Sequence, residues 1–520
     1  MVKKPISFGK IDFEIVASME KARGVPEPET PFRILIMGDF SGRDSRGIFE
    51  QGAALSERRL QLVDRDNLDK VLEKLGVEIR LVLLGKGSPP VTLRFSGMDD
   101  FHPDNLFEDL EVFQALRETR QSLRDPSTVA ALAKEYGSKR KTPEPSAPPE
   151  SMRDSLEGVP GQTEGSLLDQ VLDATKGKGP KPEAQRPQSE WDTFLKQIVQ
   201  PHLVPDIEPQ QAEMIAAVDA ATSELMRMIL HHPDFQEIEA AWQCIHFLIS
   251  RIETGDELKV YLLDIAKAEL KEDLCSKEDL RSTGIYKLLV EQTVETPGAE
   301  PWALLAGNYT FVGNTSDAEI LGRMAKIGRA AGAPFIAAGS DKLLGCASLA
   351  QTPDPRTWKR ITGAEENRTW EALRKLPESV YLGLTLPRFL LRLPYGLVTD
   401  PIERFAFEEM EAGPVHDHYL WGNPAFACIC LLAQAFNEYG WDLRPGIIQE
   451  IGGLPLHVYK EQEESKTKPC AEVVLTEGAA EAILEKGIMP LLSFKNQDTV
   501  RLARFQSLAD PSTYLAGRWG

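Results

Sequence analysis

The sequence predicts an α/β protein made of two globular units that a long linker joins. Short apolar runs bounded by proline or glycine, such as residues 33–37 between Pro31 and Gly38, are typical of buried strands. Stretches with apolar residues three or four positions apart alternate with these runs and indicate amphipathic helices. Residues 137–190 contain eight prolines and no Phe, Tyr or Trp. Such a stretch cannot bury enough apolar surface to offset its chain entropy, so we expect a disordered linker there.

Length and charge limit the classes of function. The 520 residues include 59 Lys and Arg against 79 Asp and Glu, so the formal net charge is −20. A broad surface for nucleic acid or anionic membrane needs clustered positive charge, so neither is expected as a partner. No apolar run is long enough to cross a membrane, and the first residues lack the apolar core of a signal peptide. The six scattered cysteines indicate reduced thiols, and we expect a cytoplasmic bacterial protein.

The linker divides the chain into four predicted parts. Residues 1–30 form an N-terminal arm, and residues 31–136 form a small α/β domain. Residues 137–190 are the flexible linker, which contains a short helix at 166–175. Residues 191–520 form a larger, layered α/β domain.

Periodicity places the elements of the small domain. Residues 33–37 form a buried strand, and residues 78–84 and 91–95 form two strands joined by a turn at 85–90. A first helix, capped by Asp66, runs to Leu75. A second helix opens at Asp104. The apolar faces of the two helices comprise Leu68, Val71, Leu72 and Leu75 in the first, and Leu106, Leu110, Phe113, Leu116 and Leu123 in the second.

The large domain begins with two helices and continues as an α/β alternation. The first helix has an apolar stripe, ends at His231-His232-Pro233, and is followed by a second helix that starts at Asp234 and carries Glu239, Trp242 and Phe247. The stripe of the first helix consists of Met214, Val218, Ala221, Leu225 and Met228. Strands are then predicted at 258–265, 302–309 and 334–338, with helices at 283–291 and 320–331. This rhythm indicates a layered α/β core.

Motifs for nucleotide or calcium binding are absent or incomplete. The chain has no G-x-x-x-x-G-K-[ST], and the loop at residues 38–43 lacks the G-x-G-x-x-G spacing, so we interpret it as a structural turn. Residues 64–69 begin like a calcium loop, but Leu68 stands at a ligand position and Asp69 where the sharp turn needs glycine. No G-x-S-x-G elbow is present, and no cluster of polar residues indicates a catalytic site.

Histidines and cysteines give weak metal-site signals. His416 and His418 are one residue apart and could supply two ligands from an extended segment, but no third histidine lies close in sequence. Cys428 and Cys430 lie in a core-like apolar run and are best interpreted as buried small hydrophobes. We therefore predict no metal and no cofactor.

One short helix interrupts the linker. Ser166 can act as its N-cap, with Asp169 at the third helical position. One face carries Leu167, Leu168, Val171 and Leu172. Because a single short helix is unstable alone in water, the pattern fits a tethered docking element. A chance apolar cluster, or a helix that folds back on the body, would give the same pattern.

Several long segments resemble the two sheath subunits of type VI secretion systems. Residues 31–42 and 95–104 resemble the small subunit TssB (VipA, ImpB). The segments that resemble the large subunit TssC (VipB, ImpC) are 226–242, 301–309, 333–338, 387–396 and 419–424. Together the similar regions cover most of residues 31–125 and 210–515, with the motifs in the same order as in the family.

The resemblance implies a mechanical function. In that family the two subunits interlock into the building block of a contractile cytoplasmic tube around an inner tube of Hcp protein. The AAA+ unfoldase ClpV disassembles the contracted sheath and recognises a short helix near the N-terminus of the large subunit. The helix with Leu167, Leu168, Val171 and Leu172 lies at that place, which favours the docking interpretation.

The chain departs from the family in two respects. Both subunits are on one chain, which enforces equal stoichiometry, raises their effective concentration and predicts an intramolecular interface. The segment from Phe505 onward resembles a region well inside typical large subunits, so we expect about the last hundred residues of such a subunit, which carry an exchanged strand, to be absent.

The N-terminal arm is a candidate for an exchanged strand. Residues 6–16 alternate imperfectly, with a slip at Gly9-Lys10 that fits a bulge. The apolar positions are Ile6, Phe8, Ile11, Phe13 and Ile15. A disordered terminus is the alternative.

Three functions remain open from the sequence. The first is a structural component of the contractile sheath, with other sheath subunits and an Hcp-type tube as partners. The second is a sheath-associated cap, baseplate adaptor or assembly regulator that does not polymerise. The third, which has no residue pattern in its favour, is an enzyme on this scaffold.

Overall fold

The computed structural model describes residues 7–11, 26–27, 29–50, 52–83, 90–124, 211–359, 363–462 and 464–519. The strands in these ranges are β1 (Phe32–Gly38), β2 (Gln61–Val63), β3 (Val77–Leu81), β4 (Val91–Phe95), β5 (Leu258–Asp264), β6 (Leu304–Phe311), β7 (Phe335–Gly339), β8 (Leu382–Leu386), β9 (Phe389–Leu390), β10 (Trp421–Gly422), β11 (Glu450–Ile451), β12 (Val458–Glu461), β13 (Glu464–Thr467), β14 (Ile488–Ser493) and β15 (Val500–Leu502).

The helices in the same ranges are α1 (Arg43–Arg46), α2 (Ala53–Ser56), α3 (Leu68–Leu75), α4 (Pro103–Asp109), α5 (Glu111–Arg124), α6 (Gln211–Leu230), α7 (Pro233–Ile249), α8 (Lys267–Cys275), α9 (Gly284–Tyr286), α10 (Thr315–Ala331), α11 (Ala364–Arg374), α12 (Ala425–Tyr439) and α13 (Glu477–Glu485). A π-helical turn, Lys287–Glu291, directly continues α9.

A nine-stranded sheet organises the molecule. Its strand order is β11-β15-β14-β8-β7-β6-β1-β5-β2. The six strands from β14 to β5 run parallel, whereas β2 at one edge and β15 and β11 at the other pair antiparallel. Three two-stranded sheets, β3-β4, β9-β10 and β12-β13, complete the strand pairing.

The apolar run of β1 explains its position inside the sheet, third from one edge. Ile34 and Ile36 point into one core, and Leu35 and Met37 point into the other, all with 0% exposure. A strand that is buried on both faces must be apolar at successive positions, which is typical of parallel sheets covered by helices on both sides. On the first face the core includes residues of α5, α6, α7, α12 and the β3-β4 hairpin. On the second it includes residues of α8, α10, α11 and α13.

The predicted α/β class is confirmed, and most predicted elements are present. The strands at 33–37, 91–95, 258–265 and 334–338 agree with the structure to within one or two residues. The predicted helix with the stripe from Met214 to Met228 is α6, and the π-helical turn lies within the helix predicted at 283–291. The boundaries of the predicted domains at 136 and 191 lie outside the described residues and stay predictions.

Four predicted helix starts were wrong. The helix predicted at 320–331 begins at Thr315, and the helix predicted to start at Asp234 begins at Pro233.

The other two starts lie in the N-terminal region of the chain. The N-cap of α3 is Asn67, because the Asp64 carboxylate accepts bonds from the N–H groups of Asp66 and Asn67 (2.9 and 3.0 Å) and so extends the preceding turn. The second predicted helix begins at Pro103 rather than Asp104, since the Nδ1 of His102 caps it.

The single helix predicted from Asp104 onward consists of two helices, α4 and α5. Leu110 is extended (φ −81°, ψ 129°) and separates α4 from α5. The sequence predicted one continuous helix because Leu106, Phe113 and Leu116 face the same core on both sides of the break.

Candidate functional site: the interface between the two parts of the chain

The described residues 29–124, here called the N-terminal part, share the main sheet with residues 211–519, the C-terminal part. Strand β1 lies between two strands of the C-terminal part. It pairs with β5 from Phe32 opposite Leu258 to Gly38 opposite Asp264, and it also pairs with β6. Removing the N-terminal part would therefore separate β5 from the rest of the sheet and leave backbone groups of β5 and β6 unpaired. The intramolecular interface expected from the fusion is present.

The loop after β1 holds a carboxylate of the C-terminal part. The N–H groups of Phe40 and Ser41 donate to Oδ1 of Asp264 (2.8 and 3.1 Å), and the Ser41 hydroxyl donates to Oδ2 (2.8 Å). Burial raises the pKa of Asp264, while these hydrogen bonds oppose that rise. The loop that superficially resembles a nucleotide loop thus uses its donors within the interface.

Glu269 gathers a second set of bonds across the interface. Its side chain has 0% exposure and accepts bidentate bonds from Arg43 (2.8 and 3.0 Å) as well as a bond from Arg58 Nη2 (3.0 Å). The N–H groups of Glu50 and Ala266 also donate to it. Burial favours the neutral acid, but these charge-assisted bonds outweigh burial and lower the pKa of Glu269 to about 2.

Aromatic and helical contacts extend the interface. The indole Nε1 of Trp242 in α7 donates to the carbonyl of Phe40 (2.8 Å). Phe235 lies 6.1 Å, centroid to centroid, from both Phe95 and Phe101.

The last described helix before residue 125 packs on the first one after residue 210. Arg120 in α5 donates to both oxygens of Asp219 in α6 (2.5 and 3.0 Å). Leu123 and Met214 are both buried in the same core cluster. The two described helices on either side of residues 125–210, α5 and α6, are therefore in contact with each other.

A buried charge cluster fixes the segment after β9. Arg392 has a 10% exposed side chain and bonds to Glu239 of α7 (Nε to Oε1, 2.7 Å) and to Glu409 (Nη1 to Oε2, 2.8 Å), whose side chains have 0% exposure. Tyr395 N–H donates to Glu409 (2.8 Å), and the His231 ring stacks on His418 at 3.8 Å. We refer to Arg392, Glu239 and Glu409 as the Arg392 cluster.

The two carboxyl groups of the Arg392 cluster ionise differently. Burial raises the pKa of Glu239 despite the nearby guanidinium. For Glu409, burial acts in the same direction, but Arg392, His231 and the Tyr395 N–H outweigh it and lower the pKa to about 2. Arg392 therefore forms an ion pair with Glu409 within the segment after β9 and, through Glu239, bonds that segment to α7.

The described part of the N-terminal arm lies on its own chain. Lys10 forms a single parallel β-bridge with Asp279, and Arg323 Nη2 donates to the carbonyl of Ser7 (2.9 Å). Phe8 and Ile11 are partly buried against the second core. The other three predicted arm residues, Ile6, Phe13 and Ile15, lie outside the described residues. An exchange of the arm between protomers stays a prediction.

Gly322 in α10 offers a selective test of this contact. A Cβ at this position would lie 2.2 Å from Cδ1 of Phe8. We expect Gly322→Ala to displace the arm and to raise the rate of limited proteolysis near residue 10 by about tenfold, because an opening cost of about 1.4 kcal/mol corresponds to that factor.

Gly478→Ala is the matched control, because a Cβ there meets no atom within 4 Å and also lies in a helix. Equal arm proteolysis in both variants would contradict the docking of the arm on α10.

The histidines and cysteines singled out in the sequence bond to or pack against neighbouring side chains. His416 bonds to Glu472 and Lys468, and His418 stacks on His231. Among the described residues, no group of three or more His, Cys, Asp or Glu could hold a metal ion. Cys428 and Cys430 are fully buried, which raises the pKa of each thiol to about 12. Leu167, Leu168, Val171 and Leu172 lie outside the described residues.

Sequence reasoning missed the roles of the charged residues of the interface and of the Arg392 cluster. Glu239 gave a signal, since it stands three positions before the buried Trp242 on the same helical face. Asp264 closes a predicted strand, but nothing nearby indicated its partners. Arg43 and Arg58 gave no local signal, because their partner Glu269 lies more than 200 residues away along the chain.

No helix in the described part of the chain is long and apolar enough to span a membrane.

Comparison with known families accounts for both parts of the chain. The model of the VipB family (EvpB/VC_A0108, tail sheath N-terminal domain) matches residues 212–509, more than half of the chain. The chain belongs to the VipB family. A second model, described as type VI secretion system, VipA, VC_A0107 or Hcp2, matches residues 14–135. The chain is thus a fusion of a VipA-like and a VipB-like part, as the motifs predicted.

Two curated relatives from Pseudomonas aeruginosa agree with this assignment. The type VI secretion system sheath protein TssC1 is 38% identical over 307 residues, which are 58% of this chain and 62% of that protein. The sheath protein TssB1 is 28% identical over 99 residues, 18% of this chain and 55% of that protein. The chain therefore spans about three fifths of the length of each relative.

Proposed function

We propose that this chain is a structural subunit of a type VI secretion contractile sheath, which assembles around an Hcp-type inner tube and contracts to propel it. The observation that carries the proposal is the placement of VipA-like β1 between VipB-like β5 and β6. One folded chain then supplies both kinds of subunit as a single building block. It acts by assembly in the bacterial cytoplasm, without a cofactor or bond chemistry of its own. Other sheath subunits and the baseplate are its further partners.

Electron microscopy of the purified full chain tests the proposal. A sheath subunit is expected to form tubes or stacked rings in negative stain, alone or with separately made TssB and TssC subunits. Monomers or small closed rings under both conditions would overturn the proposal. That result would favour a cap, baseplate adaptor or assembly regulator that binds a sheath without polymerising.

We also propose that the helix at 166–175 docks on a ClpV-type unfoldase. The support is the apolar face of Leu167, Leu168, Val171 and Leu172 within a segment of otherwise low apolar content. A peptide of residues 160–180 is expected to bind the N-terminal domain of ClpV.

Leu168→Asp with Leu172→Asp is expected to abolish that binding, because it places two charges in an apolar interface. Gln162→Asp with Gln170→Asp adds the same charge away from the apolar face and should bind like the original peptide. Undetectable binding of the original peptide, or equal loss in both variants, would reject the docking role.

A further inference from the structure

Three side chains form a hydrogen-bonded chain beside the β12-β13 ribbon. Nζ of Lys468 lies 3.0 Å from Nδ1 of His416, and Nε2 of His416 lies 3.2 Å from Oε1 of Glu472. With the imidazole proton on Nε2, the histidine donates to the carboxylate and accepts from the lysine ammonium. This Lys468 relay has the order of nucleophile, base and orienting carboxylate that activates nucleophiles in enzymes.

The base and the carboxylate are held in place by neighbouring groups. Arg388 donates to Glu472 from its backbone N–H and from Nε, both at 2.9 Å, and the Glu472 N–H donates to the Arg388 carbonyl (3.0 Å). Burial favours the neutral acid, but the bonds from His416 and Arg388 outweigh it and lower the pKa of Glu472 to about 2. The indole Nε1 of Trp421 donates to the His416 carbonyl (2.8 Å).

Lys468 itself lies in a partly buried aromatic setting. Its Nζ is 5.1 Å from the centroid of the Tyr419 ring and 5.4 Å from that of Trp421. Burial lowers the pKa of Lys468, and the charges of Glu472 and Asp417 oppose that shift only in part. The amine is therefore neutral more often than an exposed lysine, and a proton acceptor lies within hydrogen-bond distance.

Other titratable groups also face the relay. His457 bonds to the Tyr419 hydroxyl (2.7 Å), and burial lowers its pKa. Burial raises the pKa of Asp341, whose charge is coupled to Glu472, Arg388 and His416. The guanidinium of Arg388 pairs with Glu472 and its side chain is 46% exposed, so it offers an anionic reagent a positive group at the carboxylate end of the relay.

We propose that Lys468 is a modification site for small acyl phosphates, with His416 as its proton acceptor and Glu472 as the residue that orients His416. The lone pair of Nζ attacks the acyl carbon, and a C–N bond forms. The C–O bond to phosphate breaks, and phosphate leaves with its electron pair. The amine proton passes to Nδ1 of His416 and then to solvent, so the product is an uncharged amide and His416 is regenerated.

Acylation would remove the positive charge of Lys468. The contacts with the Tyr419 and Trp421 rings would lose their cation–π character, and the bond to His416 would lose its charged donor. The modification would therefore loosen the attachment of the ribbon to the segment that contains β10.

Acetyl phosphate is the probe for the test, with the full chain as substrate and site-resolved mass spectrometry as the readout. We expect Lys468 to acetylate at least about tenfold faster at pH 7.5 than Lys460 and Lys466 of the same ribbon, because His416 is placed to accept its proton. Lys466 is ion-paired with Glu461, which raises its pKa. A rate at Lys468 equal to or below those of the ribbon lysines would overturn the proposal.

A matched pair of histidine variants isolates the base. His416→Asn is expected to slow acetylation of Lys468 about a hundredfold, the lower end of general-base effects. His418→Asn, two residues along the same 3₁₀ turn, should leave that rate unchanged because its ring stacks on His231 instead. An unchanged rate in folded His416→Asn would reject the relay.

The pH dependence of the unmodified chain tests the proposal without any variant. The acetylation rate of Lys468 should reach half of its maximum at a lower pH than that of Lys466, because burial lowers the pKa of Lys468 and the ion pair with Glu461 raises that of Lys466. An equal or higher midpoint for Lys468 would contradict the relay even if His416→Asn failed to fold.

Discussion

Replacing Arg392 with methionine is expected to destabilise the chain by about 3–5 kcal/mol, the usual cost of removing one partner of a buried ion pair. The side chains of Glu239 and Glu409 have 0% exposure, so neither carboxylate can turn to water when the guanidinium is lost. Methionine keeps most of the volume, which separates the lost charge from a packing defect. Equilibrium denaturation at pH 7 measures the effect.

Arg356→Met is the matched control for this experiment. Arg356 bonds to Asp354, but its side chain is 87% exposed, and exposed pairs contribute little to stability. We expect no measurable change in the control. Similar losses in both variants would show that the Arg392 cluster does not stabilise the C-terminal part in the way its geometry indicates.

Acidification gives the Arg392 prediction a second readout. In the unmodified chain, the lowered pKa of Glu409 contributes stability above about pH 4.5 that is lost as the pH falls towards about 2. In the methionine variant the buried carboxyl groups have raised pKa values, so their destabilising effect grows as the pH rises above about 4.5. The difference between the two proteins should therefore shrink from pH 7 to pH 4.5.

Cutting the chain in its linker is expected to leave the two parts together. An engineered protease site between residues 140 and 150 would produce two fragments that elute as one species in size-exclusion chromatography. The reason is that β1 is paired on both sides by strands of the C-terminal part, in addition to the bonds of Asp264 and Glu269. The linker then serves to raise effective concentration during folding, and is not required to hold the folded parts together.

Each part expressed alone is expected to be insoluble or unfolded, since it would expose an unpaired central strand or an open sheet. In the cut protein, Ile36→Asp is the variant to compare with the unaltered sequence. It places a charge at an interface position whose side chain has 0% exposure. We expect the cut variant to separate or precipitate. Separation of the fragments of the unaltered cut chain would refute a shared sheet.

Local patterns determined which segments form helices and strands and which faces they bury. The run at 33–37 predicted a buried strand, and the stripe from Met214 to Met228 predicted α6, because both patterns depend on neighbouring positions of one element. The order of motifs along the chain likewise predicted the two families. The break at Leu110 escaped prediction because it depends on the backbone conformation of a single residue. The N-cap at Asn67 escaped prediction because it depends on a competing turn.

The tertiary structure alone decided which element covers each apolar face and which charges meet. Periodicity shows that β1 is buried on both sides, but it cannot show that β5 and β6 are its neighbours. Glu269 meets Arg43 and Arg58, and Arg392 meets Glu239, across more than 150 residues of chain. No sequence spacing reports such pairs, because the energy that selects them comes from burial and charge pairing that exist only once the sheet has formed.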